Sequence, residues 1–296
     1  MVAMRGWWRD LTDLVLPAEC AGCGAPRTAL CPGCRAALGA GRPRRVRPVP
    51  EPDGLPVVHA AAPYADRVRA LLLAHKERGA LTLAGALGAA LAGVVREGLA
   101  GSDAGAGSGG GPVVLVPVPS ARWAVRARGH DPVRRMALAA AGELRRTGTP
   151  ARVAAVLRQR RAVADQAGLD ARRRRVNLAG ALEVTPGGGR LLGAGRLVLV
   201  DDLVTTGASL TEAARALRDS AGWQGGIPNG GGSGVSRVVY SAVSREGREE
   251  RRRAAWQERG KWVHGAPEKA MVNVLGPTLR AAVIAAPRDS LEINRN

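Results

Sequence analysis

The stretch Arg196-Leu197-Val198-Leu199-Val200-Asp201-Asp202-Leu203-Val204-Thr205-Thr206-Gly207-Ala208-Ser209 limits the possible folds more than any other part of the chain. Leu197 to Val200 is an unbroken apolar run with β-branched members. That pattern predicts a strand buried on both faces, as in a parallel sheet covered by helices. Asp201 and Asp202 stand at its carboxyl end. Further on, Leu210, Ala213, Ala214 and Leu217 fall on one helical stripe. Ser209 and Glu212 have capping-box spacing.

A strand, a short polar loop and a helix N-terminus together make an anion site. The first-turn amides have no partners within the helix and carry partial positive charge. Gly207 lets backbone come close to an anion, and Thr205, Thr206 and Ser209 offer hydroxyl donors. Two carboxylates repel phosphate but suit a sugar diol, a magnesium ion, or both. The spacing therefore predicts a site for a phosphate and a ribose together, at the carboxyl end of a parallel strand. The plainer alternative is that Asp-Asp ends a strand and Thr-Thr-Gly-Ala-Ser caps a helix.

This segment resembles the phosphoribosyl-pyrophosphate (PRPP) loop of the type I phosphoribosyltransferases nearly residue for residue. The resemblance implies that Asp201 and Asp202 hold the ribose hydroxyls, with catalysis depending on them. It implies that Thr205, Thr206, Gly207, Ala208 and Ser209 cradle the 5′-phosphate, with Mg2+ as the companion ion. The loop is not of the Walker A type, because no Gly-Lys-Ser/Thr follows.

All four cysteines lie in the first 34 residues, as Cys20-x-x-Cys23 and Cys31-x-x-Cys34. Two such pairs separated by a short loop predict a structural zinc (Zn2+) site with four thiolate ligands and no open position. Gly22 and Gly33 sit inside the pairs, where a tight knuckle needs small residues. A redox pair or two disulfides would be the alternative.

The net charge is +19, from 44 basic and 25 acidic residues. Three of the basic residues are lysines, at 76, 261 and 269. The excess of Arg, Ala and Gly is what GC-rich codon usage produces, which discounts the charge in part as a nucleic-acid signal and leaves a dedicated DNA groove as the alternative. A generally basic surface is expected all the same. No apolar run approaches membrane-spanning length. Met1 to Leu16 lacks the apolar core of a signal peptide, so a cytoplasmic protein is expected.

Along the chain, residues 14–38 read as a zinc ribbon and 39–56 as a Pro/Arg-rich linker. Residues 57–220 read as the main domain. Within it a strand is expected at Pro56–Ala62 and a helix at Ala65–Glu77, with Val68, Leu71, Leu72 and His75 on one side. A second helix is expected at Leu81–Glu97. The Gly-rich stretch 101–112 reads as a loop. Its Gly105-x-Gly107-x-x-Gly110 is no dinucleotide fingerprint, since it precedes a strand. That strand, Val113–Val116, delivers a basic segment with Arg122, Trp123, Arg126 and Arg128. Arg122 and Arg128 are candidates for a pyrophosphate, the alternative being a solvated basic helix turn. A helix follows from Pro132 to about Arg146, capped by Asp131. Residues 153–178 read as a mobile loop or a surface hairpin.

The larger pattern resembles the competence protein F (ComF/GntX) family across roughly 14–220. The shared features are the double Cys-x-x-Cys module, Lys76-x-x-Gly79, Pro117-Val118-Pro119 followed by Arg128-Gly129, and the PRPP loop. Between them lies Gln166-x-x-Leu169-x(4)-Arg174-x-x-Asn177-Leu178. The family usually carries Phe-Asn-Gln after the Arg-Gly pair, where this chain has His130-Asp131-Pro132, and an aromatic where it has Glu77. Residues 221–278, Gly-rich and then charged, read as a disordered insertion, with Val235–Val243 as a possible strand. Residues 279–296 read as a terminal edge strand and a tail.

These readings give an α/β fold. It is a type I phosphoribosyltransferase-like parallel sheet of about five strands, with helices on both faces and a small zinc ribbon in front. The implied function is binding of PRPP or a related ribose-phosphate with magnesium, with possible transfer to a base, in a protein linked to DNA uptake. The alternative is a non-enzymatic factor that binds single-stranded DNA through its basic surface and zinc module and works with the competence machinery. A third reading is an interaction module built on the ribbon alone.

Overall fold

The computed structural model describes residues 19–39, 41–100, 111–161, 163, 171–192, 195–222 and 279–291. The Gly-rich loop, Gln166, Leu169, the expected strand at Val235–Val243 and most of the expected insertion lie outside the described residues.

The chain enters through a Cys-rich turn and a short helix α1 (Pro32–Ala37). Then come β1 (Arg44–Val46), β2 (Val57–Pro63) and α2 (Asp66–Glu77). A 3-10 turn at Leu81–Leu83 leads into α3 (Ala84–Ala100). Next are β3 (Val113–Pro117), α4 (Arg122–Arg128), α5 (Pro132–Arg146), β4 (Ala151–Val153) and β5 (Leu157–Gln159). They are followed by α6 (Ala171–Leu178), β6 (Leu182–Val184), β7 (Arg196–Leu203), α7 (Ala208–Gly222) and β8 (Arg280–Ala286).

Six strands form one sheet in the order β1-β2-β8-β7-β3-β4. Five run parallel; β1 is antiparallel to β2 at the edge. Strands β5 and β6 make a separate antiparallel pair. The architecture is α/β with a mostly parallel sheet between helices. Alternate residues of β7 divide between two cores: Val198 and Val200 join the core with α3 and α5, and Leu197 and Leu199 the one with α7. An apolar run with no polar face is buried on both sides.

Several expectations change, and residues 171–178, read as part of a loop or hairpin, form helix α6. The last strand lies between β2 and β7 in the middle of the sheet, not at its edge. Its residues 281–286 are all buried, which small and β-branched side chains permit where helices pack on both faces. The Pro/Arg-rich segment contains β1, because Arg44–Val46 falls between prolines and can pair with β2. Leu81–Ala100 is long and apolar enough to cross a membrane by length and composition. Here it is a core helix: Leu87, Leu91, Val94 and Val95 are buried. A Cβ added at Gly88 would lie 2.4 Å from that of Ala139, so α3 and α5 meet with no space for a side chain between them.

Helix α2 follows directly from the carboxyl end of β2. Its far end reaches the carboxyl end of β7, where Lys76 meets Asp202. The helix therefore runs across the carboxyl edge of the sheet. One side of it, at Leu71, packs with Cys20 and Cys34 in the same core.

Candidate functional site

Two sites emerge, a thiol cluster and a cleft at the carboxyl end of β7.

The four Cys Sγ atoms all lie within 4.8 Å of one another, and those of Cys23 and Cys31 are 3.6 Å apart. Four sulfurs at Zn–S distance from one tetrahedral ion stand about 3.8 Å apart. The cluster therefore fits zinc. The knuckle geometry is in place: Gly24 N donates to the Cys20 carbonyl at 2.8 Å, and Cys31 N donates to Cys20 Sγ at 3.3 Å. Burial works against ionising Cys20, but backbone amides of residues 31, 22 and 23 outweigh it and lower the thiol to about 6. Burial and the neighbouring thiols raise Cys34 well above the ordinary thiol value. A cation supplied to the cluster would reverse that cost. Gly22 is required by contact, since a Cβ there would lie 2.7 Å from Cys34 Sγ. Gly33 has more room; the nearest obstacle is the flexible end of Arg67 at 3.3 Å.

The cleft has a volume of about 360 Å³. Asp201 and Asp202 end the buried part of β7 and form its floor with Lys76, Thr205 and Ser209. Asp201 and Asp202 are both buried, at 9% and 7% exposure over the whole residue, and Asp202 N donates to Asp201 Oδ1 at 2.9 Å. Lys76 Nζ donates to Asp202 Oδ2 at 2.8 Å. Burial first, and then the Asp202 charge, push the Asp201 carboxyl up; Lys76 partly offsets them. Burial disfavours the Lys76 ammonium, yet Asp202 and then Asp201 outweigh it and raise its pKa.

The loop beyond Asp202 turns into α7 through Gly207, whose φ of +74° is the left-handed conformation that favours glycine. Thr211 N donates to Gly207 O at 2.9 Å, which opens the helix, and Ala208 N donates to Thr206 Oγ1 at 3.4 Å. Thr206 therefore caps the turn. Ser209 lies within the first turn, and Glu212 does not reach back to it. The Glu212 carboxylate accepts from Leu182 N at 2.9 Å and from Arg215, which ties α7 to β6. The capping-box spacing has been used to join two elements.

Arg128 lines the cleft, but its guanidinium is engaged. Nε donates to Ala124 O at 3.1 Å and Nη1 to the Lys76 carbonyl at 3.4 Å, and Glu77 lies 3.8 Å away. It buttresses the end of α2. Arg122 is exposed and lies outside the cleft wall. Two cations that sequence reasoning left out of the site are brought to it. One is Lys76, across 126 residues. The other is Arg174 from α6, whose Nη1 donates to Thr205 Oγ1 at 3.4 Å. The signal for Lys76 was its isolation, as the one lysine in the first 260 residues.

The lining also includes the apolar side chains of Val118, Pro119 and Trp123, and Trp123 is 58% exposed. Chemically, the cleft joins a buried acidic pair, an ammonium, hydroxyls and a helix N-terminus to a wall on which a planar group can rest. No protein-family model matches the chain, and no curated protein is similar to it.

Proposed function

We propose that the cleft binds PRPP, or a related ribose-phosphate, with magnesium, in a type I phosphoribosyltransferase-like protein of the ComF kind. The observation that carries this reading is one cleft holding Asp201, Asp202, Thr205 and Ser209 at the carboxyl end of a central parallel strand. The double Cys-x-x-Cys module and the order of the motifs support the ComF resemblance, and with it a link to DNA uptake. Zinc fits the thiol cluster and would hold the module on α2.

In this reading the Asp pair accepts hydrogen bonds from the ribose hydroxyls. The loop amides and the hydroxyls of Thr205, Thr206 and Ser209 hold the 5′-phosphate. Magnesium, where bound, would lie against Asp201 and Asp202 and neutralise the diphosphate. Transfer breaks the bond from ribose C1 to pyrophosphate and forms one from C1 to a nucleophile. The chain's part is to hold the diol and phosphate in place and to keep the developing positive charge on the ribose beside carboxylates.

The test is calorimetric titration of PRPP, with and without magnesium, into the wild type and Asp202→Asn. The expected result is magnesium-dependent binding that the variant weakens at least tenfold. Failure to bind at millimolar ligand, or equal binding in the variant, overturns the reading.

A second reading, single-stranded DNA binding, is favoured by one surface: exposed Trp123 between exposed Arg122 and Arg126 on α4. Aromatic stacking with interleaved cations suits single strands. It predicts oligonucleotide binding that falls steeply between low and physiological salt, and salt-independent binding would count against it.

A further inference from the structure

We infer that Lys76 is the built-in cation of the acidic pair, which keeps free divalent cations off Asp201 and Asp202, so that a metal enters only with an anion that takes over the ammonium. The inference concerns regulation of the site proposed above, and only the identity of the anion rests on that proposal.

Lys76 is the one lysine among the described residues. Its Nζ sits 2.8 Å from Asp202 Oδ2, and both side chains line the cleft. The ammonium therefore already occupies Asp202 Oδ2, one of the oxygens an ion bound by the pair would use. The backbone beneath it is pinned. Arg78 N donates to Ala74 O at 3.2 Å, and Arg128 Nη1 donates to Lys76 O at 3.4 Å. His130 Nε2 lies 3.2 Å from the His75 carbonyl. The helix end is fixed, while the side chain is 37% exposed to the cleft and the Asp202 side chain only 10%. The fixed end keeps the ammonium within reach of the pair, and its four-carbon stem lets it swing within the cleft.

Two buried carboxylates and one ammonium carry at most one net negative charge. A divalent cation arriving alone finds little charge to neutralise and is repelled by the ammonium beside it. A cation arriving with a diphosphate meets a different balance. The ammonium moves to a phosphate oxygen, where it makes a charge-assisted hydrogen bond of equal kind. Asp202 is then freed to join Asp201 in holding the metal or the diol. Ligand and metal would bind with positive coupling, because each relieves a cost left by the other.

The experiment is a titration of manganese ions alone, followed by paramagnetic resonance, into the zinc-loaded full chain. The proteins are the wild type, Lys76→Gln, Lys76→Arg and the double variant Lys76→Gln with Asp202→Asn. The expected result is that Lys76→Gln gains a manganese site at least tenfold tighter than any in the wild type. Lys76→Arg should stay like the wild type, and the double variant should lose the gained site. Equal manganese affinity in the wild type and Lys76→Gln overturns the inference, as does a gained site that survives in the double variant. If Lys76→Gln does not fold, Lys76→Met replaces it in the same comparison. The readout needs no PRPP, so it separates the two ideas. PRPP binding to the wild type without a manganese gain in Lys76→Gln leaves the ribose-phosphate reading standing and removes this one. A manganese gain without PRPP binding does the reverse.

Discussion

At residue 22 the constraint is one of contact. Cys34 is fully buried against α2, and a methyl group on Gly22 would press into its sulfur from one side and Leu71 from the other, at 3.2 Å. Gly22→Ala should therefore cost on the order of 1–3 kcal/mol by overpacking and weaken zinc retention. Denaturant unfolding and competition with a chelator read the two effects. His75 gives a pH dependence. It is 1% exposed, and its ring nitrogens each lie 3.4 Å from a carbonyl oxygen, of Ala80 and Pro132. Burial, only partly offset by those carbonyls, lowers its pKa below the ordinary 6.5. For a depressed folded value, the contribution to stability is complete above 6.5 and is lost as pH falls through the folded value. The melting temperature of the wild type should drop from pH 7 to pH 5, and His75→Gln should flatten that drop. A flat wild-type profile across this window would show that His75 does not titrate on folding.

Among the elements, β8 carries the largest unexpected burden. Ile284 is fully buried in a strand paired on both sides. Ile284→Ala should cost about 2–5 kcal/mol, far more than a residue of an edge strand would. The α7–β6 joint is held by a buried carboxylate. Glu212→Ala leaves Leu182 N and Arg215 without their shared acceptor and should cost roughly 1–3 kcal/mol, read by the same unfolding measurement. These cases mark what the sequence discloses. Strand β7, the loop and α7 are legible because apolar run, polar turn and amphipathic stripe are all local, and α5 begins where Asp131 and Pro132 predict. The place of β8 is not local. It depends on a partner chosen across the sheet, although its buried run at 281–286 lacks the alternation of a one-sided edge. Likewise nothing near Arg128 tells that it holds a carbonyl of α2, and nothing near Lys76 names Asp202. The cation content of the site is therefore settled by tertiary packing, while its carboxylates are settled by spacing.

For the whole molecule, the thiol cluster and the cleft share α2. Leu71 meets Cys20 and Cys34 in one core, and five residues later Lys76 meets Asp202. Removing zinc should lower the melting temperature of the whole chain rather than of a separate module. It should also weaken any ligand that depends on the Lys76 position, with both effects reversed by adding zinc back. Scanning calorimetry before and after chelation would show one transition moving, and two independent transitions would contradict a shared core. Position in the sheet also has a bearing on how the chain is made. Strand β8 lies between β2 and β7 yet follows every other described strand in sequence. On the ribosome, β7 is complete some 83 residues before β8 ends, roughly 4–17 s at ordinary rates of translation. Through that interval the nascent sheet has a gap at its centre and two unpaired strand edges facing it. The chain is thus open to a chaperone, or to a neighbouring nascent chain, until β8 is made.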